Sequence, residues 1–206
     1  MEITQMDSNH GIKKNGLKAS IPLVSFKALM SGDLDAQQVL GNALKDIGFF
    51  ALVDHDLSAQ RIDAAYEQAK RLFDLPQEVK QSHAHPELGG QVGFTAFGTE
   101  RAKDCSLPDL KEYWHIMRSE DQRSPESAHL IPLNEWPADQ QGFSHDVFKN
   151  QFSELFQSLE SIAQQVLKAC STYIGETSSV LEDAIQDGYS VLRLIHYPAI
   201  DGDIEP

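Results

Sequence analysis

The chain is 206 residues long with 41% hydrophobic and 23% charged residues, a composition that suits a soluble globular protein able to bury a core. Its 17 Lys+Arg against 31 Asp+Glu leave a formal charge of −14, which repels phosphate backbones and anionic lipid and excludes nucleic acid as an expected partner. Cys105 and Cys170 stand far apart without CxxC spacing, so neither a disulfide framework nor a zinc ribbon is indicated and both are expected to be buried small hydrophobes.

Residues 1–19 are polar with no periodic apolar pattern and no signal-peptide core, and a loose leader is expected there. No run of about 18 apolar residues occurs anywhere, so a cytoplasmic protein with no membrane partner is expected. Ile21-Pro22-Leu23-Val24 reads as a short edge strand, where proline is tolerated. From Asp33, the residues Leu34, Val39, Leu40, Ala43, Leu44 and Ile47 recur at helical spacing and predict one buried face, with Gly48 at the C-terminal cap. Phe49 to Val53 is a short apolar run that suits a buried strand, and Asp54 ends it. Ser58 caps a second helix carrying Ile62, Ala65, Tyr66, Ala69, Leu72 and Phe73, closed by Pro76.

Glycines and prolines break every period between 82 and 110, which predicts a loop with one short strand around Phe94. Glu112 to Arg118 alternates as a strand, with Tyr113, His115 and Met117 on one face and Trp114 and Ile116 on the other. A proline-rich connection through Pro125, Pro132 and Pro137 leads to the longest helical pattern, Phe148 to Tyr173, ending at Gly175. A short helix over 180–185 precedes an apolar, β-branched strand from Tyr189 to Tyr197, bounded by Pro198. The polar stretch Asp201-Gly202-Asp203-Ile204-Glu205-Pro206 closes the sequence.

Six segments, in order, resemble the isopenicillin N synthase-like oxygenases. Gly48-Phe49-Phe50-Ala51-Leu52-Val53-Asp54-His55 resembles the family's Gly-Phe-Phe strand and its Asn-His-Gly turn, with Asp54 and Asp56 replacing the Asn and Gly. Leu75-Pro76-Gln77-Glu78-Val79-Lys80 is similar to its Leu-Pro-x-Glu-x-Lys segment, and Gly93-Phe94 stands in the place of its Gly-Tyr loop. Asp109 to His115 resembles the strand lining the family's pocket, Asn134-Glu135-Trp136-Pro137 its Asn-x-Trp-Pro step, and Val191 to Pro198 its first long core strand, with Ile195 in place of an Asn.

The resemblance implies an α+β fold: a helical N-terminal layer plus the first strands of a double-stranded β-helix, or jelly roll, whose core is incomplete in this chain. It divides the sequence into a flexible leader at 1–19, an N-terminal α/β region at 20–137, and a long helix with the start of the jelly-roll core at 138–206. It implies Fe(II) and 2-oxoglutarate as cofactors of the complete protein, which would oxidise a small organic substrate while 2-oxoglutarate becomes succinate. The family's His-x-Asp pair, distal His and Arg-x-Ser follow the Tyr-Pro strand, and this sequence ends first, so the chain is expected to be a fragment, inactive alone and without tight iron binding. A non-catalytic, stand-alone interaction module is the alternative reading.

Two imidazoles and one carboxylate on one face of the metal are what a non-haem Fe(II) centre needs. None of the eight histidines, His10, His55, His83, His85, His115, His129, His145 and His196, stands in His-x-Asp spacing. His83-Ala84-His85-Pro86-Glu87 is the nearest approach, but it falls in a glycine- and proline-broken stretch and reads as a solvated loop whose side chains are not pre-oriented. No metal ligand and no catalytic residue is therefore assigned. The resemblance places Tyr197, Arg193, Tyr113, His115 and Phe94 toward substrate or cosubstrate, with Tyr197 offering a phenol donor to a carboxylate; the residues alone also allow His115 as a core histidine bonded to a neighbour and Tyr197 as an aromatic core residue. A buried Arg193 would need a carboxylate, and either an internal ion pair or a ligand could supply it.

Overall fold

The computed structural model describes residues 12–14, 17–101, 107–119, 123, 132–176, 180–185 and 188–199. Most of the expected leader, Cys105, Pro125, His10, His129 and the closing stretch 201–206 lie outside the described residues. The elements in chain order are β1 (Ile12–Lys14), β2 (Leu17–Ala19), β3 (Leu23–Ser25), α1 (Phe26–Met30), α2 (Leu34–Asp46), β4 (Ala51–Val53) and α3 (Ala59–Phe73). There follow α4 (Gln77–Gln81), a 3-10 turn (Pro86–Leu88), β5 (Gly93–Thr95), β6 (Glu112–Met117), α5 (His145–Tyr173), α6 (Val180–Ile185) and β7 (Val191–His196). They form two compact units, Met1–Asp56 with Ile162–Asp183, and Leu57–Ser161 with Ala184–Pro206.

In the first unit, β1 and β2 pair antiparallel, inside a stretch expected to be structureless. The sequence between them is Asn15-Gly16, the dipeptide favoured in two-residue hairpin turns, a local signal that apolar periodicity does not carry. β3 and β4 pair in parallel, with Val24 opposite Leu52. Ser25 and Asp33 cap α1 and α2 by accepting from the Ala28 and Ala36 amides at 3.3 and 2.9 Å. At the other end of α2 the Gly48 amide bonds the Ala43 carbonyl at φ +92°, the left-handed closure its glycine allows. Val24, Leu29, Leu40 and Ala169 make the core, flanked by Phe50, Leu52, Val166 and Cys170, whose half-buried thiol has its pKa raised by burial.

The α2 stripe is covered only along its middle. Leu40, Gly41 and Ala43 are buried, whereas Leu34, Val39, Leu44 and Ile47, expected on the same buried face, are exposed. Gly41 lies under Tyr173, and a Cβ there would fall 2.1 Å from the ring, so the helices meet where a side chain is missing. Asp54 adopts φ +60°, so the turn after β4 keeps a left-handed residue although Asp replaces the family's Asn; Asp reaches that region more readily than most side chains.

The second unit is built on the antiparallel sheet β5-β6-β7, with β6 in the middle. All six residues of β6 are buried. Trp114 and Ile116 face a core of Leu72, Phe73, Phe94, Phe148, Phe152 and Phe156, in which the Phe148 ring meets Phe143, Phe152 and Trp136 at 5.2, 4.7 and 6.0 Å. Ser58 caps α3 as expected, though Tyr66, expected on its buried face, is exposed. Asn134 accepts from the Met117 amide at 2.6 Å and donates to its carbonyl at 2.9 Å, anchoring the Asn-x-Trp-Pro segment to the end of β6. Among the described residues no helix is long and apolar enough to cross a membrane.

Glu112 shares the core face with Trp114, so its charge must be met inside. Lys80 of α4 meets it: Nζ donates to Oε1 and Oε2 at 3.1 and 2.9 Å and to the Phe73 carbonyl at 2.9 Å, with both side chains under a tenth exposed. His196 of β7, opposite Glu112 in register, donates Nδ1–H to Oε1 at 2.8 Å and stacks on Phe73. Removing one partner strands a buried charge, which typically costs about 3–5 kcal/mol, whereas replacing both by apolar groups is far milder. Lys80→Met is therefore expected to destabilise the protein by about 3–5 kcal/mol in urea unfolding, and Lys80→Met with Glu112→Leu by much less. Equal losses in the single and double variants would show that the pair contributes nothing as a pair.

Candidate functional site

The pairing of β6 with β7 decides which side chains meet. Tyr113 stands opposite Ile195, His115 opposite Arg193 and Met117 opposite Val191, while Glu112, Trp114 and Ile116 oppose His196, Leu194 and Leu192 on the other side. Because strand side chains alternate, the second set packs the core and the first set forms a separate face. β5 joins with the same parity, putting Thr95 beside Tyr113 and Phe94 beside Trp114.

On the first face Arg193 donates from Nε to His115 Nε2 at 2.5 Å, and its guanidinium lies 4.6 Å from the Tyr113 ring centroid. Since Nε2 accepts, the His115 proton is on Nδ1, which is buried near the Gly90 and Gln91 backbone without a well-formed bond. Burial, followed by the Arg193 charge, pushes the His115 pKa below the usual histidine value, outweighing the Gly90 and Gln91 backbone and Glu100, which act the other way. His115 is thus held neutral beside a permanent cation. Arg193 is exposed rather than buried, so the need for an internal carboxylate does not arise, and among the described residues it has none.

Tyr113 extends from this cluster to a cavity of about 310 Å³ whose lining includes His85, Gly90, Thr95, Thr99, Glu100 and Tyr113. Gly90 has φ +73°, and a Cβ there would fall 2.8 Å from Thr95 Oγ1 and 2.9 Å from the Tyr113 hydroxyl. Thr95 Oγ1 is buried with no protein partner, a polar atom aimed at the space a side chain at 90 would take. A larger cavity, about 440 Å³, is lined mainly by apolar side chains such as Leu57, Ile62, Phe152 and Leu192, with Arg193 and Tyr66 also in its lining.

Three of the five residues expected at a ligand site, Tyr113, His115 and Arg193, are brought together. Tyr197 lies just past β7, at the parity of Arg193, and is 69% exposed. Phe94 is not with them. It is 1% exposed on the core face, tilted against Trp114 at 6.3 Å with the Lys80 ammonium 5.3 Å from its ring centroid, though it also borders the smaller cavity. Gly90 and Thr95 stand in no motif that marks them in the sequence, and although Lys80 and Glu112 fall within two of the family-like segments, nothing in those segments marks them as a pair. A charge alternating into the same strand face as Trp114 and Ile116 is the one available signal for Glu112.

The reading of His83 and His85 as unoriented loop side chains is corrected. Glu135 receives His83 Nδ1 at 2.8 Å and His85 Nε2 at 2.9 Å, while His85 Nδ1 bonds Glu87 at 3.1 Å. With both ring nitrogens on carboxylates, His85 must carry two protons to donate to both. The carboxylate orienting both rings lies about fifty positions later and is invisible to local spacing. Among the described residues no group of three His, Cys, Asp or Glu is arranged to hold a metal ion.

Comparison with known proteins agrees with this architecture. A family model described as the N-terminal region of a non-haem dioxygenase in morphine synthesis matches residues 21–139. Gibberellin 20 oxidase 1 of Arabidopsis thaliana is 26% identical over 187 residues, covering 89% of this chain and 48% of the relative. The 2-oxoglutarate-Fe(II) type oxidoreductase ppzD of Metarhizium rileyi is 30% identical over 167 residues, covering 78% and 46%. A crystal structure of a 2OG-Fe(II) oxygenase family protein from Caulobacter crescentus superposes with TM-score 0.74 at 39% identity, over 89% of this chain and 58% of that one. A full-length Neurospora crassa protein crystallised in complex with alpha-KG, at 23% identity and TM-score 0.71 over 91% and 57%, shares the fold. The chain spans about half the length of the curated relatives it matches.

The Glu135 clamp should titrate from both sides. Burial raises the Glu135 carboxyl, but the His83 and His85 hydrogen bonds outweigh it and leave the pKa depressed, so its stabilisation is present above the usual carboxylate range and lost as pH falls. The His85 pKa is raised, by Glu87 first and then Glu135 against desolvation, so its stabilisation is full below about pH 6.5 and lost as pH climbs through the raised value. The melting-temperature difference between wild type and Glu135→Gln should peak between about pH 4.5 and 6.5 and shrink on both sides. A difference flat from about pH 4 to 8 would contradict the clamp.

Proposed function

This chain belongs to the 2-oxoglutarate- and Fe(II)-dependent oxygenases of the isopenicillin N synthase-like family, and we propose from that membership that it forms the N-terminal part of an enzyme oxidising a small organic substrate. One observation carries the reading to particular residues: the β6–β7 register gathers Tyr113, His115 and Arg193 on the sheet face opposite the aromatic core. A sheet that buries one face against aromatic rings and sets neutral imidazole, phenol and guanidinium on the other is suited to bind and orient a polar molecule. No described observation favours the stand-alone interaction module.

Fe(II) with 2-oxoglutarate supplies the oxidising chemistry in this family, and the described residues do not themselves form a metal site. The contribution of this chain lies in binding, orientation and exclusion of water. Arg193 provides positive charge, His115 provides an aligned neutral ring that holds the guanidinium, and Tyr113 walls the space between Arg193 and the Gly90 cavity. Tyr197 offers a phenol O–H to the cosubstrate carboxylate. Its exposure leaves the hydroxyl free of any role in the core of this unit.

In the full-length protein, Tyr197→Phe is expected to weaken 2-oxoglutarate about ten- to a hundredfold, the loss of one hydrogen bond to a charged group, while urea unfolding stays within about 0.5 kcal/mol of wild type. Succinate formation as a function of 2-oxoglutarate concentration measures it. Unchanged dependence on 2-oxoglutarate would remove Tyr197 from the site, and no succinate under any condition would overturn the oxygenase reading.

A further inference from the structure

Arg193 is an exposed cation held in place by its neighbours, and no carboxylate among the described residues meets it. Its Nε–H is taken by His115 and its plane by the Tyr113 ring, yet neither group carries negative charge. A guanidinium is always protonated and has five N–H donors, so most of its fork is left for another acceptor. The bracing supplies the preorganisation that bidentate carboxylate recognition uses: a fixed Nε bond and a ring against one face leave the outer nitrogens aligned. Tyr197 is four residues farther along the same strand face, about 13 Å by strand rise, so one carboxylate group does not span both backbone positions.

We propose that Arg193, braced by His115 and Tyr113, recognises a carboxylate on the organic substrate, so that the substrate class is anionic. This rests on the oxygenase reading above for the word substrate, while the anion site itself is tested without turnover. A bound carboxylate offsets the guanidinium charge felt by His115. The other charged group acting on that imidazole, Glu100, stays in place and pairs with Lys111 at 2.8 Å.

The test uses the full-length protein and two probes of nearly equal shape, cyclohexaneacetate and cyclohexaneacetamide, followed by the His115 imidazole signals in heteronuclear NMR. The acid is expected to shift those signals saturably and raise the His115 midpoint, and the amide to leave both unmoved. Arg193→Gln should weaken the acid response about ten- to a hundredfold, with Arg193→Lys intermediate because a point charge replaces the fork. Equal responses to acid and amide, or an acid response surviving Arg193→Gln, would overturn the proposal. Succinate formation by the wild-type enzyme is measured in parallel: if it proceeds while acid and amide are indistinguishable, the anionic class fails and the oxygenase reading stands. If the acid response depends on Arg193 without succinate formation, the anion site stands and the oxygenase reading fails.

Discussion

The buried ion pair between Lys80 and Glu112 is the constraint from which the arrangement of the larger unit follows. A carboxylate on the aromatic side of β6 would be intolerable alone, since desolvating an ion costs several kcal/mol. Its position compels a cation to reach the same spot, and α4 delivers Lys80 there, with three hydrogen bonds and the Phe94 ring completing the shell. His196 adds a link from β7 to the same carboxylate. Three elements distant in sequence are thereby fixed to one point. The pair also opposes a slip of the β6–β7 register, because moving β7 by one residue would withdraw His196 and turn Leu192 and Leu194 away from the core.

The opposite face inherits its order from that register. With Glu112 across from His196, His115 must lie across from Arg193 and Tyr113 across from Ile195. The cation and the neutral imidazole meet because the core side leaves them no other pairing. Thr95 extends the same face through β5, and in the turn before that strand the missing side chain at position 90 keeps a cavity open beside the Tyr113 hydroxyl. The aromatic core and the polar face are two sides of one three-stranded sheet.

Much of this is legible in the sequence, for identifiable reasons. Strict alternation over Glu112–Arg118 separates Tyr113 and His115 from Trp114 on sequence alone, since strand period is fixed by backbone geometry. Capping residues Asp33 and Ser58 and the glycines at 48 and 175 mark helix ends because their chemistry is local. What depends on distant partners is not legible. Phe94 sits in a strand of three residues, too short to show its parity, and pairing with Trp114 turns it into the core. His83 and His85 take their orientation from Glu135, and the lack of a carboxylate on Arg193 among the described residues emerges only once its neighbours are placed. The apolar stripe of α2 indicates a helix correctly but overstates how much of it is covered.

The central claim is that ligands of the oxygenase meet the Tyr113–Tyr197 side of the sheet and leave the aromatic side untouched. The five tyrosines of this sequence, Tyr66, Tyr113, Tyr173, Tyr189 and Tyr197, sample different places in it, which makes fluorotyrosine a direct reporter. Fluorine NMR of the full-length protein labelled with 3-fluorotyrosine, assigned by single Tyr→Phe changes, would be recorded as 2-oxoglutarate is added without oxygen. The account predicts that the Tyr197 resonance moves saturably while those of Tyr66 and Tyr173 stay in place. Movement of Tyr66 or Tyr173 with Tyr197 unmoved would contradict it.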